Sequence, residues 1–517
     1  NQAGINFALY AASEAQPSRE HWRELIGHDN ARMLEGVSLN RDAFVLSLRE
    51  GGLPIIEVHP QGGAPYPVQL PDAAYSLYVQ DSLEFHSPVI RLRYEALNRP
   101  AQVRQLELAT GAQQVLKQTP VEGPFDADAY ESRRLWATAA DGTQVPISLV
   151  ARREVLTAGA PAPLYLYGYG AYGESLDPWF SHARLSLLER GFVFAIAHVR
   201  GGGELGEAWY RAGKLEHKTN TFGDFIACAE QLVAEGLTTS KQLAISGGSA
   251  GGLLIGAVLN QRPELFAAAI AEVPFVDVLN TMQNPDLPLT VTEYDEWGDP
   301  NQPDVFARIK GYAPYENVRA QGYPAILAVA GYNDSRVQYW EAAKWVARLR
   351  ELKTDGNLLL LKTELADRFQ WDREIEAHAF AAARGTQGSL GTLGDSHNSP
   401  HLDIVMANDE PMPAYEKAAE TMAIAAYYLA IDPARPVQNL PYKWCLPPAN
   451  KDQFTNEERN LLLFDGIATT KVVTGVMQVE RLITPAGDEI SRVPGSDHRV
   501  WLPLPPVSVG AFVARFV

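Results

Sequence analysis

Apolar and polar positions along the chain change period near residue 127. Up to about residue 126, apolar residues alternate with polar ones in short runs. Examples are Phe44-Val45-Leu46-Ser47-Leu48 and Val89-Ile90-Arg91-Leu92-Arg93-Tyr94. Turn clusters such as Glu50-Gly51-Gly52 and Thr110-Gly111 separate the runs. This spacing predicts repeated short strands, as in a propeller or a sandwich. Beyond residue 127, Leu135–Thr138 and Val145–Val150 flank the turn Asp141-Gly142-Thr143, a hairpin signal. Strand-like runs at 164–167, 192–197, 243–246, 268–271, 325–329 and 357–362 then alternate with helical patterns. Those helices are expected at 221–235, from about 250, and at 338–352 and 371–383. Such alternation predicts a parallel sheet covered on both faces, with chemistry at the carboxyl ends of its strands.

The pattern breaks at 385–400, where Gly, Ser, Thr and Asn suggest a linker. A helix is expected at 412–431, stopped by Asp432-Pro433, and Thr455-x-x-Glu458 reads as a capping box. Thr474-Gly475 is the turn of a hairpin between 472–473 and 476–479, and 500–517 is β-like and proline-rich.

Composition narrows the function classes. The 517 residues suit about three domains. A net charge of -18 argues against a nucleic-acid partner, which needs a basic face, and is compatible with cationic substrates. Cys228 and Cys445 are too far apart for a metal spacing and too few for a disulfide framework. With no signal-peptide pattern at its start, the chain is expected to be cytoplasmic. The longest apolar run, Met422–Ile431, is too short to span a bilayer. His397-x-x-x-His401 has Pro400 between its histidines and reads as linker rather than as a metal pair, so neither metal nor organic cofactor is expected.

One stretch carries chemistry. Gly247-x-Ser249-x-Gly251 follows the strand run Leu243-Ala244-Ile245 and precedes an apolar, helix-favouring run from Leu253 to Leu259. A serine at the tip of a strand-to-helix turn needs glycine on both sides to avoid collisions, and the helix N-terminus then faces an incoming oxyanion. An acid is expected after the serine in the chain. Asp334 stands in the loop Gly331–Arg336, just past a strand; a turn aspartate that caps the next helix would read the same way. The Ala250 N–H and a donor from Tyr167–Gly173 would form the oxyanion hole.

Residues 1 to about 384 resemble oligopeptidases of the B type in the prolyl oligopeptidase family of serine peptidases. The motifs that carry this are Tyr167-Gly-Tyr-Gly-Ala-Tyr-Gly173, His198-Val-Arg-Gly-Gly-Gly-Glu-Leu-Gly206, Gly247-Gly-Ser-Ala-Gly-Gly252, Val273-Pro-Phe-Val-Asp277 and Val337-Gln-Tyr-Trp-Glu341 with Lys344-Trp345. The resemblance implies a partial β-propeller over 1–126 and an α/β-hydrolase domain over 127–384. It implies cleavage of short peptides after Arg or Lys through an acyl-enzyme. Ser249 would be the nucleophile, Asp334 the triad acid, and Tyr169 with the Ala250 N–H the oxyanion donors. Glu293 and Asp295 would line the acidic pocket for the basic side chain, Asp295 standing where the family usually has a glutamate. Arg336 would hold a substrate carbonyl, and Tyr172 and Asp177 complete the substrate-binding set. Where the family often has two aspartates, here one is replaced by Trp179, a departure that bears on preference for dibasic sites. The G-x-G-x-x-G within 198–206 reads as a family loop rather than a dinucleotide site.

The family's histidine loop has no counterpart. Between the strand ending at Lys362 and Arg368, only Thr363-Glu364-Leu365-Ala366-Asp367 remain. His378 lies inside the expected last helix. Residues from about 397 to 484 resemble the C-terminal part of a contractile-phage tail sheath protein. The residues involved are Asn398–His401, Ala430–Pro436, Glu457–Ala468 and Glu480–Thr484. The expected organisation is therefore 1–126, 127–384, a linker at 385–400, an α+β segment at 401–484 and a β-like tail at 485–517. Besides a serine oligopeptidase, two readings stay open: an assembly protein with an inactive hydrolase domain, and an esterase on the same fold. No oligomeric state follows from these patterns.

Overall fold

The computed structural model describes residues 5–80, 84–121, 123–334 and 336–364, together with strands at 462–464, 479–483, 489–490 and 512–516. The chain divides into two compact units. One comprises 1–329 with 340–362, the other 330–339 with 363–517.

In the first unit, a strand pair, β1 (Leu9–Ala11) and β2 (Arg23–Ile26), precedes two four-stranded antiparallel sheets. One holds β3 (Arg32–Leu39), β4 (Ala43–Glu50), β5 (Leu53–Pro60) and β6 (Tyr66–Pro67). The other holds β7 (Tyr75–Gln80), β8 (Val89–Ala96), β9 (Arg99–Glu107) and β10 (Gln113–Gln118). Each is a simple meander, as propeller blades are. Alternate residues of β5 and β8 are buried, and Val45, Ile56, Val58, Leu92 and Tyr94 meet in one shared core. The expected short-strand pattern thus becomes two blades.

The hydrolase sheet has eight strands in the order β11-β12-β14-β13-β15-β16-β17-β18. They are β11 (Tyr130–Thr138), β12 (Gln144–Arg152), β13 (Leu164–Tyr167), β14 (Val193–Ala197), β15 (Leu243–Gly248), β16 (Ala268–Glu272), β17 (Ala325–Gly331) and β18 (Leu359–Glu364). The hairpin β11–β12 is antiparallel, and β14, β13, β15, β16 and β17 run parallel. Central strands buried on both sides read as continuous apolar runs, which is why Val193–Ala197 is fully buried. The helices are α1 (Arg153–Thr157), α2 (His182–Leu188), α3 (Glu207–Arg211), α4 (Thr219–Ala234), α5 (Ala250–Gln261), α6 (Val278–Met282), α7 (Tyr294–Trp297), α8 (Pro303–Tyr312) and α9 (Tyr339–Leu352). The sequence pattern anticipates α4, α5 and α9. It misses the others: most are one or two turns long and carry too few apolar positions to show a period, and the ten-residue α8 is missed as well.

Helix α9 buries a carboxylate. Glu341 is fully buried; it accepts the Thr281 hydroxyl at 2.7 Å and the Asp277 N–H at 3.0 Å. Burial pushes its pKa up to about 8. The folded chain then keeps a proton that the unfolded chain releases above its ordinary value. Stability from this group is full below about pH 4.5 and falls as pH rises toward 8. Glu341→Gln should narrow the difference in Tm between about pH 5 and about pH 8. Thermal unfolding followed by circular dichroism checks this, and an unchanged difference would refute it.

In the second unit, β19 (Leu462–Phe464), β20 (Val479–Ile483), β21 (Glu489–Ile490) and β22 (Phe512–Phe516) form an antiparallel sheet in the order β19-β22-β20-β21. The helices expected at 371–383 and 412–431, the linker, the capping box, the hairpin turn at Thr474-Gly475 and His378, His397 and His401 lie outside the described residues. Among the described residues, no helix is long and apolar enough to cross a membrane.

Candidate active site

Strand β15 ends at Gly248 and helix α5 begins at Ala250, so Ser249 is the whole of the turn between them. Its φ of 55° is one that a residue with a side chain adopts only at a cost of about 1 kcal/mol or more. Neighbouring backbone holds it there. Its N–H donates to the Glu272 carbonyl at 2.9 Å, and its carbonyl accepts from Gly252 at 2.8 Å and Phe275 at 3.1 Å. The flanking glycines are required by contact. A Cβ on Gly247 would lie 2.4 Å from the Gly251 carbonyl oxygen, and one on Gly252 would lie 2.4 Å from Pro274 Cα. Ala250 opens the helix, so its N–H has no intrahelical acceptor and sits at the positive dipole end.

The second oxyanion candidate neighbours the serine. Burial pushes the pKa of the Tyr169 hydroxyl up to about 12, and Ser249 beside it opposes that rise, so the hydroxyl remains a donor at neutral pH. Tyr169 belongs to the loop 168–173, which follows β13. Lys218, fully buried on the Trp297 ring, donates to the Gly170 carbonyl in this loop at 2.5 Å.

An acidic cluster adjoins the loop. Glu293 Oε2 accepts the Tyr172 hydroxyl and the Trp297 indole N–H, both at 2.8 Å. Burial and Glu293 raise the Tyr172 pKa far above its usual range. Asp295 is exposed, whereas Glu296 is 3% exposed and accepts the Tyr172 backbone N–H at 3.1 Å and the Tyr210 hydroxyl at 2.7 Å. The resemblance implies 293 and 295 for the pocket, whereas in the fold 296 is the second carboxylate that holds the loop. The helical period of 293–297 carries the signal, since residues three apart share a face and residues two apart do not.

Asp177 is engaged by the first blade. Arg49 of β4 spans its two oxygens at 2.6 and 3.2 Å and donates to Glu35 at 2.8 Å. Nothing in the sequence pairs positions 49 and 177. Trp179 packs edge-on against Tyr167.

The first unit therefore brings together Ser249, Ala250, Tyr169, Tyr172 and Glu293. Asp334 and Arg336 are in the second unit. There Asp334 Oδ1 accepts the N–H groups of Arg336 at 2.8 Å and Val337 at 3.0 Å, and burial raises its pKa. Among the described residues no histidine is hydrogen-bonded to Ser249. A buried trio, Ser148, His198 and Glu204, imitates a triad: Ser148 Oγ is 2.8 Å from His198 Nε2 and Glu204 is 3.5 Å from Nδ1. His198 is 0% exposed, so this trio meets no substrate; it ties β12 to the 198–206 loop. Among the described residues, no three His, Cys, Asp or Glu side chains are grouped to hold a metal.

Comparison with known proteins supports the fold. Residues 178–367 match the model of the prolyl oligopeptidase family, and residues 1–119 that of the prolyl oligopeptidase N-terminal β-propeller domain. The sheath resemblance expected over about 397–484 is matched over 351–485, by the model of the phage tail sheath protein central domain. Dipeptidyl aminopeptidase BI of Pseudoxanthomonas mexicana is 42% identical over 361 residues, covering 70% of this chain and 50% of that protein. Protease 2 of Moraxella lacunata is 41% identical over 365 residues, 71% of this chain and 52% of that one. The structure of oligopeptidase B from Leishmania major superposes with a TM-score of 0.66 at 42% identity, over 71% of this chain and 52% of that one. The chain thus spans about half the length of the curated relatives it matches. Residues 1–119 and 178–367 of the chain therefore match the propeller and peptidase parts of the prolyl oligopeptidase family.

Proposed function

We propose that the first unit carries the nucleophile, oxyanion donors and specificity pocket of a serine oligopeptidase that cleaves short peptides after Arg or Lys. The observation behind this is the strained Ser249 turn between β15 and α5, with the Tyr169 hydroxyl beside it and a Glu293 carboxylate that two donors hold in place. Ser249 attacks the scissile carbonyl, and the tetrahedral oxyanion takes hydrogen bonds from the Tyr169 hydroxyl and the Ala250 N–H. For Asp334 and Arg336, in the second unit, the roles of triad acid and of holding a substrate carbonyl rest on the resemblance alone. Both known bonds to Glu293 fall on Oε2, which leaves Oε1 facing a guanidinium or ammonium group. Asp295, exposed two residues further on, adds a second negative charge to this segment. An apolar acyl ester would have no use for such a carboxylate.

Glu293→Gln keeps the bonds from Tyr172 and Trp297 and removes the charge. With an arginyl aminocoumarin substrate, kcat/KM is expected to fall by about 2 kcal/mol, roughly thirty-fold, as for loss of a charge-assisted pair. An unchanged kcat/KM would remove Glu293 from the pocket.

The match of residues 351–485 to a sheath protein favours a second reading, an assembly subunit whose hydrolase domain lacks its histidine. Large particles on a sizing column, with no reaction at Ser249, would support that reading.

A further inference from the structure

We infer that Glu296 is a positioning residue that couples the acidic pocket to the oxyanion loop, an inference that rests on the reading of Tyr169 as an oxyanion donor. Tyr172 is gripped at both ends by one short segment. Its hydroxyl donates to Glu293 at 2.8 Å, and its backbone N–H donates to Glu296 at 3.1 Å. Glu293 is the cap of α7 and Glu296 lies within it, so both carboxylates move with one helical turn. Tyr172 has a φ of 60°, which a bulky residue holds only when its surroundings impose it. Its ring lies 6.3 Å from that of Tyr169, three residues upstream in the same loop, and the Tyr169 hydroxyl neighbours Ser249. The path from pocket to nucleophile therefore runs from Glu296 through the Tyr172 backbone to Tyr169.

Glu296 is suited to this task. It is 3% exposed, so water cannot replace it at the Tyr172 N–H. Its other oxygen is held by Tyr210 of α3, whose hydroxyl also accepts from Lys214 at 2.8 Å. The charge of Glu296 in turn supports the buried Lys218 ammonium, which is pinned to the Gly170 carbonyl of the same loop. Exposed Asp295, one residue away, makes none of these bonds.

The test compares Glu296→Ala, Glu296→Gln and Asp295→Asn in the full chain. Glutamine retains an acceptor for the Tyr172 N–H, and alanine does not. With an arginyl aminocoumarin substrate, Glu296→Ala should lower kcat by about a hundred-fold and leave KM within about two-fold; Glu296→Gln should recover most of that loss. Amide exchange of the 168–176 peptide, read by mass spectrometry, does not depend on turnover. Exchange should speed up by about ten-fold in Glu296→Ala and stay near wild type in the other two. If the wild type lacks activity yet the exchange pattern holds, the oligopeptidase reading fails and the brace stands. Equal exchange in alanine and glutamine variants, or a loss confined to KM, would overturn the brace.

Discussion

A fluorophosphonate probe is expected to form its adduct with the 517-residue chain on Ser249, and Ser249→Ala should lose both the adduct and all peptide hydrolysis. The turn leaves Ser249 partly open, while Ala250 behind it is buried. Tyr169 and the first turn of α5 await the phosphonyl oxygen as they would a peptide oxyanion. What the geometry of the first unit does not supply is a base. Removing the base from a serine triad costs a factor of about 10⁶ in kcat, so the labelling rate reports on its presence directly. An adduct on Ser249 within minutes means that a base acts on it. A folded sample that stays unlabelled has a broken triad, and the assembly reading then takes first place. Labelling of Ser249→Ala at wild-type rate would remove the elbow from the mechanism altogether.

How much of this was legible in the sequence depended on the range of the interactions. The elbow was readable because its cause is local. Backbone contacts at Gly247 and Gly252 forbid a Cβ, and the serine between them has nowhere else to go. Strand β14 was readable because burial on both sides leaves an uninterrupted apolar run. Arg49 was not readable as the partner of Asp177, since the blades and the hydrolase sheet meet only in the fold. Glu296 is legible through helical spacing, since it lies three residues from Glu293 on one turn, whereas Asp295 lies two away on another face. The Ser148–His198–Glu204 trio shows the opposite hazard, because residue types that suit catalysis are also those that satisfy one another in a core. The histidine loop belongs to neither case: the residues between Lys362 and Arg368 contain no histidine, and the match to the peptidase family ends at 367.

Asp224→Ala should be among the most destabilising single changes in the first unit, at about 3–5 kcal/mol, because it strands a buried guanidinium. Arg200 is 6% exposed and Asp224 0%. The guanidinium meets both Asp224 oxygens, with Nη2 at 2.6 Å from Oδ1 and Nε at 2.9 Å from Oδ2. Its backbone N–H adds a third bond at 2.9 Å. Burial raises the Asp224 pKa, and the Arg200 bonds oppose that rise. Asp141 also reaches Arg200, at 2.6 Å, but its side chain is 48% exposed. Water can replace it, so Asp141→Ala should cost no more than about 1 kcal/mol. The larger loss has a route to the active site. The Arg200 carbonyl holds the Thr221 hydroxyl at 2.7 Å, and a Cβ on the next residue, Gly201, would strike the Gly170 carbonyl oxygen of the oxyanion loop at 2.2 Å. Urea unfolding of the two variants beside wild type separates these effects. A paired replacement, Arg200→Met with Asp224→Leu, should recover much of the stability lost by Asp224→Ala, because it removes the uncompensated charge as well as its partner. If Asp224→Ala and Asp141→Ala cost the same, the buried pair would not be what anchors this loop.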